Sequence, residues 1–158
     1  MRKHLLVSVT FLFTSLLVLA VSAVAADPFA GKWKLNLARS KYHAGQAPKK
    51  YEVHIKNLDN GLQCKAHRVE VDGKEYREEW SAKYDGKDYP MTGDPTVDTV
   101  ALKRIDAGTI EVVFKKGGKE VETSRVVVSP DGKTTTVMAK AKDDKGQDPT
   151  AVLILEKQ

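Results

Sequence analysis

The sequence predicts an all-β protein, an antiparallel up-and-down meander of eight to ten strands that closes into a β-barrel. Three observations predict it. Runs rich in Val, Ile, Thr and Tyr alternate apolar with polar residues, turn signals separate these runs at short intervals, and residues 26–158 show no convincing helical period. Since a long open meander exposes two strand edges, closure into a barrel is the favoured arrangement.

The start of the chain has the pattern of a secretory signal peptide, which we assign to residues 1–25. Arg2 and Lys3 precede an apolar run, and Ala23-Val24-Ala25 supplies the small residues at which such leaders are cleaved. Cleavage after Ala26 fits nearly as well. The alternative is a retained membrane anchor, because the apolar run is almost long enough to span a bilayer. We therefore expect an exported protein, periplasmic or extracellular, without stable membrane insertion after cleavage.

Composition and charge limit the class of protein. The 158-residue chain has 26 Lys and Arg against 21 Asp and Glu, a formal charge of +5. Cleavage after Ala25 leaves one domain, residues 26–158, and removes two basic residues, so 24 stand against 21 and the charge is +3. A surplus this small does not indicate nucleic-acid binding. Cys64 is the only cysteine, which excludes an internal disulfide and a cysteine-rich zinc site.

Alternation identifies the strands in order along the domain. Trp33 and Leu35 share one face of the first strand, opposite lysines, and Tyr51 and Val53 share one face of the second. One apolar face is typical of antiparallel strands packed against a core, whereas the last strand is apolar on both faces. The strands are expected near residues 32–37, 50–57, 61–71, 74–84, 87–91, 97–105, 109–116, 119–129, 134–142 and 150–157.

Turn chemistry marks the ends of the strands. Asn-Gly, Asp-Gly and Gly-Gly pairs, such as Asp85-Gly86, supply the positive φ angles that tight hairpins need. The apolar parity switches between Ala66 and Val69, which predicts a β-bulge there. One long connection remains, residues 38–49, for which we expect a short helical turn or a loop across one mouth of the barrel.

The opening of the domain, Gly31-Lys32-Trp33, resembles the start of the first strand in the calycin superfamily, the lipocalins and fatty-acid-binding proteins. The closing residues Leu153–Lys157 resemble the last strand of the fatty-acid-binding group. The chain is more closely similar to uncharacterised secreted bacterial proteins of lipocalin-like type, through Gly31–Asn36, Tyr84–Pro90 and Asp98–Ile105. The resemblance implies a calycin-like β-barrel in which Gly31 and Trp33 form a structural plug at one end.

The last strand departs from the fatty-acid-binding pattern. In calycins a basic residue there commonly packs across the tryptophan of the first strand, but the position counted back from Glu156 is Leu153. Leu153 and Leu155 also stand where the fatty-acid-binding group has the arginine and tyrosine that hold a carboxylate. We therefore do not extend fatty-acid binding to this chain.

Eight residues on inward-phased strand positions are candidate ligand contacts. An inward arginine can hold an anionic head group by a bidentate contact; alternatively it lies at the rim or pairs with Glu70 or Glu78. Inward aromatic side chains line an apolar cavity or fill a small barrel as plain core. These alternatives stay open. The candidates are Arg68, Arg104, Arg125, Tyr51, Tyr76, Trp80, Tyr84 and Phe114.

Other reactive side chains form no pattern of a catalytic or metal site. His43, His54 and His67 lack the spacing of metal ligands, and the Asp residues beside glycine are typical of turns rather than of a calcium loop. Cys64 falls on an apolar strand position, which indicates a buried small hydrophobe rather than a nucleophile. We expect no metal and no cofactor.

These observations favour a non-catalytic binding protein for a small, mostly apolar or amphipathic ligand, acting as a monomer or weak dimer. The alternative is a filled barrel whose outer surface serves as a protein-interaction or envelope stress-protection module. An enzyme is the least favoured interpretation, since it requires an interior polar cluster with a perturbed pKa, such as Glu78 with Arg68 or Arg104.

Overall fold

The computed structural model describes residues 27–42, 47–142 and 150–158. The predicted signal peptide with its cleavage site, and also His43, lie outside these residues. In the described part of the chain, no helix has the length and apolar character needed to cross a membrane. The described residues form a 3-10 turn, Leu37–Arg39, and the strands β1 (Gly31–Leu35), β2 (Lys41–Tyr42), β3 (Lys50–Leu58), β4 (Gly61–Val69), β5 (Glu75–Lys83), β6 (Tyr89–Thr92), β7 (Thr99–Asp106), β8 (Thr109–Lys116), β9 (Lys119–Val128), β10 (Thr134–Ala141) and β11 (Thr150–Lys157).

The strands form a closed antiparallel barrel. Neighbours along the chain pair from β3 to β11, and β1 pairs with both β3 and β11. Trp33 therefore lies between Val53 on one side and Lys157 on the other. The short β2 continues the pairing along β11 beyond the end of β1. The predicted all-β antiparallel barrel is confirmed.

The strand ends fall within about two residues of the expected ones because local turn chemistry determines them. Asn60 adopts φ +55° in the turn between β3 and β4, and Gly132 adopts φ +68° in the turn between β9 and β10. The long connection contains the expected helical turn, at Leu37–Arg39, and also β2. The side chain of Asn36 caps this turn by accepting a hydrogen bond from the backbone N–H of Arg39.

The bulge predicted at residues 66–69 is wrong. β4 pairs in unbroken register with β3 and with β5 as far as Val69, so Val69 lies on the outer face. Val69 is only partly buried there, and an apolar side chain on the outer face at a strand end is common and needs no bulge to turn it inward. The register instead shifts after Arg104 in β7 and after Phe114 in β8, where Phe114 pairs with Glu122 of β9.

The barrel has one packed end, and the opposite end is called the open end because the described residues leave the interior uncovered there. Phe29, Leu62, Val100 and Leu102 are at most 1% exposed and belong to the hydrophobic core. Residues 27–30 lie across the packed end, where Asp27 contacts Tyr84, which follows β5, and Arg104, near the end of β7. Because the strands run up and down, the turns after β4, β6 and β8 lie at the opposite, open end.

Candidate functional site

Trp33 closes the packed end. Its side chain is buried, and Nε1 donates a hydrogen bond to the carbonyl oxygen of Phe29 at 2.8 Å. The ammonium group of Lys157 lies 5.1 Å from the centroid of the indole, a cation–π geometry. Gly31, at φ +139°, makes room for this contact, since a Cβ there would lie 2.7 Å from Cε of Lys157. Lys157 thus supplies the basic residue that the pattern of the last strand lacks at Leu153.

Arg104 and Tyr84 belong to this packed end rather than to the interior wall. The guanidinium carbon of Arg104 lies 4.1 Å from the centroid of the Tyr84 ring and 5.5 Å from that of Phe29. Both polar groups meet Asp27, which pairs with Arg104 and accepts a hydrogen bond from Tyr84 at 3.0 Å. Burial, together with this carboxylate, raises the pKa of Tyr84. Arg104 and Tyr84 therefore belong to the plug at the packed end. Neither is among the described residues that line the cavity inside the barrel.

The predicted inward position of Arg125 is wrong. The bulge in the pairing of β8 with β9 puts Val121 and Glu122 both on the inner face. One extra residue reverses the parity of every position beyond it. Ser124 therefore lines the interior, and Arg125 is exposed on the outer face, where it pairs across strands with Glu111.

The interior between the two ends is a cavity of about 670 Å³. Four of the predicted candidates line it: Tyr51, Arg68, Trp80 and Phe114. Tyr76 lies behind Arg68, with its ring centroid 4.8 Å from the guanidinium carbon, and is not among the described lining residues. The rest of the wall is mainly apolar and includes Ile55, Met91, Ile110, Val112, Val137 and Leu153.

Three carboxylates surround Arg68 in the open half of the cavity. Its Nη2 lies 2.6 Å from Oδ2 of Asp94 and 3.1 Å from Oε1 of Glu78, and its Nε lies 3.3 Å from Oε1 of Glu70. Arg68 pairs across strands with Tyr76. In this register Glu78, two residues further along β5, lies beside Arg68. The interior ion pair that sequence analysis leaves open as an alternative for Arg68 is therefore present.

Two acidic residues of this region were not among the predicted contacts. Turn chemistry accounts for one oxygen of Asp94, since Oδ1 accepts hydrogen bonds from the backbone N–H of Thr96 at 2.8 Å and from its hydroxyl at 2.6 Å. The other oxygen, Oδ2, forms the ion pair with Arg68, and the sequence of the turn gives no sign of this contact. Glu122 is turned inward by the bulge, and its Oε1 accepts a hydrogen bond from the hydroxyl of Ser124 at 2.8 Å.

The acidic groups differ in how easily they ionise. Burial raises the pKa of Glu78, an effect that Arg68 opposes and that neighbouring carboxylates reinforce. Burial also raises the pKa of Glu122, against the hydrogen bond from Ser124 and the charge of Arg68. Burial by itself would raise the pKa of Asp94 too. The hydrogen bonds from Thr96 and the charge of Arg68 outweigh burial, so the pKa of Asp94 is lowered.

The remaining reactive side chains have ordinary environments. Cys64 is buried in the cavity wall, and burial, reinforced by Glu78, raises the pKa of its thiol. His67 lies near the outer surface and contacts Glu75 at 3.1 Å. Among the described residues, no group of three or more His, Cys, Asp or Glu side chains is placed to hold a metal ion.

Glu122→Gln is expected to stabilise the protein near neutral pH. Burial raises the pKa of Glu122 in the folded protein above its ordinary value of 4.5. Between the two values the folded protein binds more protons than the unfolded chain, so the free energy of unfolding falls as the pH rises through that window. The variant removes this loss, so its free energy of unfolding should exceed that of the wild type near neutral pH. The difference should disappear below pH 4.5. Urea denaturation over a pH series measures it.

Glu156→Gln is the matched control for this prediction. Hydrogen bonds from Arg39 and Asn36 lower the pKa of Glu156 in the folded protein. Its charged form therefore stabilises the folded state above the unfolded pKa of 4.5, and that stability is lost as the pH falls through the folded pKa. Neutralising it should not raise stability at neutral pH. The same gain in both variants would contradict the assignment.

Comparison with solved structures assigns the fold. Eleven chains match. One is the zebrafish ileal bile acid-binding protein complexed with cholic acid, with a TM-score of 0.51 and 11% identity over 83% of this chain and 99% of that one. The match shows the fold, and the predicted calycin-like barrel is confirmed. No family model and no curated protein matches the chain.

Proposed function

We propose that this chain is an exported, non-catalytic binding protein that holds a small, mostly apolar ligand inside its barrel. The observation that carries the proposal is the cavity of about 670 Å³. Small-molecule sites typically have volumes of about 300–1,000 Å³, apolar walls and a few placed polar groups. The cavity of this barrel has all three properties.

The apolar wall gives a reason for a ligand to bind. Ile55, Phe114, Val137 and Leu153 face the interior and are nevertheless only partly buried. A ligand would cover apolar surface that the fold leaves uncovered, and each Å² of such surface removed from water contributes about 25 cal/mol. The alternative of a filled barrel working through its outer surface is disfavoured by this uncovered interior.

Two further observations support the exported location of the protein and the class of its ligand. The leader pattern of residues 1–25 supports export. The resemblance through Gly31–Asn36 to secreted bacterial lipocalin-like proteins supports the same location. The zebrafish protein that shares the fold is complexed with cholic acid, a small molecule. Together they support a carrier of a small molecule outside the cytoplasm, which we propose acts as a monomer or weak dimer.

Catalysis is the second candidate function. Glu78, with its raised pKa, lies 3.1 Å from Arg68 inside the cavity, which is the kind of polar cluster that an enzyme would use. The chemical state of a bound molecule separates the two functions. Native mass spectrometry after incubation, followed by denaturing extraction, should recover the added molecule unchanged from a carrier and converted from an enzyme.

Filling the cavity tests the binding proposal. Val137→Trp places an indole inside the cavity, whereas Thr136→Trp places one on the outer face of the same strand. With the neutral apolar dye Nile red we expect saturable binding to the wild type and to Thr136→Trp. The affinity of Val137→Trp should be at least about tenfold lower, a difference of ~1.4 kcal/mol.

Thermal unfolding of both tryptophan variants verifies that they are folded. Equal dye binding by Val137→Trp and Thr136→Trp would place the dye outside the cavity. Absence of binding to the wild type, even after extraction of any co-purified molecule, would remove the basis of the proposal.

A further inference from the structure

We propose that the ligand of this cavity carries a cationic, amine-type head group, held by the interior carboxylates near the open end. The inference rests on the proposed function and specifies its ligand class. Among the described residues, four carboxylates but only two basic side chains line the cavity, so this part of the wall, when ionised, has a net charge of −2. The acidic residues are Glu70, Glu78, Asp94 and Glu122, and the basic ones are Arg68 and Lys142.

Arg68 is poorly placed to receive an anion. Its Nη2 already contacts Asp94 and Glu78, and its Nε lies 3.3 Å from Glu70, although Nε makes no hydrogen bond among the described residues. An anionic head group at Nη1 or at Nε would lie beside three carboxylates, and like charges so close together repel strongly in a partly buried site. The arginine therefore serves the cluster as an internal counter-ion.

Glu122 is the carboxylate best placed to meet a ligand cation. Among the described residues no ion pair includes it, and its hydrogen bond from Ser124 uses one oxygen. Glu122 pairs across strands with Phe114, and both residues line the cavity. An ammonium group suits this pair, because a carboxylate accepts its N–H bonds and an aromatic face attracts its charge.

Unpartnered hydroxyls give independent evidence that the cavity receives polar ligand atoms. Thr135 lines the cavity and is only 7% exposed, yet its Oγ1 has no hydrogen-bond partner among the described residues. The hydroxyl of Tyr42 is also buried and unpartnered there, and burial and the nearby Glu70 raise its pKa to about 12. Buried hydroxyls without partners are unfavourable. Both can accept a hydrogen bond from a ligand donor or donate one to a ligand acceptor, so they indicate polar contact with a ligand but not its charge.

The protein's own residues leave the cluster short of positive charge. The pKa of Glu78 and that of Glu122 stay raised by burial although Arg68 opposes the shift at both. A bound ammonium would supply the missing charge, whereas a bound carboxylate would add to the excess. The physical chemistry of the site thus favours an apolar amine over an apolar acid.

A matched ligand series tests the inference. Dodecylammonium, dodecanol and dodecanoate share one apolar chain and differ in the charge of the head group. Each displaces Nile red from the mature protein at neutral pH, below the concentration at which it forms micelles. We expect dodecylammonium to act at about tenfold lower concentration than dodecanol, a difference of ~1.4 kcal/mol, and dodecanoate to be the weakest.

Substitutions connect this preference to the carboxylates. The double variant Glu78→Gln/Glu122→Gln should bind dodecanol but lose the preference for dodecylammonium, and Glu122→Gln alone should show part of the loss if the double variant does not fold. Glu120→Gln, exposed on the same strand as Glu122, is the control and should keep the full preference.

The possible outcomes separate the two proposals. If Nile red does not bind the wild type, the proposed function fails and the cation inference fails with it. If the dye binds but dodecylammonium and dodecanol are equal, or dodecanoate is preferred, only the cation inference fails. A preference that persists in folded glutamine variants, or dye displacement by calcium chloride alone, would also overturn it.

Discussion

Replacing Trp33 by alanine is expected to lower the free energy of unfolding by about 3–5 kcal/mol, the usual cost of such a truncation in a core. The indole is 2% exposed, so the change leaves a cavity at the packed end. It also leaves the carbonyl of Phe29 without its donor and Lys157 without its aromatic surface. Urea denaturation followed by far-ultraviolet circular dichroism measures the loss.

Lys34→Ala is the control for this experiment. Lys34 lies on the outer face of the same strand and is exposed, so its truncation should change the stability by no more than about 0.5 kcal/mol. A loss below about 1 kcal/mol for Trp33→Ala would mean that the indole contributes little to this end of the barrel. The plug assignment of Trp33 and Gly31 would then be abandoned.

Gly93→Ala is expected to be about as damaging at the open end. Gly93 has φ +92°, and a Cβ there would overlap the carbonyl oxygen of Arg77 and lie 2.9 Å from Cα of Glu78. Backbone strain and steric overlap together should cost about 2–6 kcal/mol. Because Asp94 follows directly and β5 carries Glu78, two of the three carboxylates around Arg68 should shift, and Nile red binding should weaken together with stability.

Gly86→Ala separates the two contributions. Gly86 has φ +72°, but a Cβ there would meet nothing within 4 Å. Only the left-handed backbone is then penalised, by about 1–2 kcal/mol. Denaturation midpoints of the two variants, compared under one set of conditions, decide the matter: equal losses would show that β5 moves aside at Gly93 without cost.

The strands could be predicted from the sequence because their signals are local. Alternation over a few residues and turn pairs such as Asp85-Gly86 are properties of short segments, and neither depends on a distant partner. Bulges are different, because they depend on two strands at once. The pairing of Phe114 with Glu122 has no signature in β8 or β9 alone, and the single outward Val69 imitated a bulge that β4 does not contain.

The residues of the candidate site could likewise be predicted where they depend on one strand alone, and not where they depend on how two strands pair. Tyr51, Trp80 and Phe114 reach the cavity because the parity of their own strands is regular. Arg125 was misplaced and Glu122 missed for one shared reason, the extra residue at the start of β9. Asp94 approaches Arg68 from the turn after β6, and only the assembled barrel brings the two together.

The strand pair that closes the barrel has a consequence for how the chain folds. Trp33 pairs with Lys157, 124 positions further along the chain. The loop closed by this contact includes nearly the whole domain, so its entropy must be lost before the contact forms, and folding through such distant pairings is slow. The wall cannot close until β11 is available. A chain that stays open during synthesis remains competent for translocation in the unfolded state, as the proposed export requires.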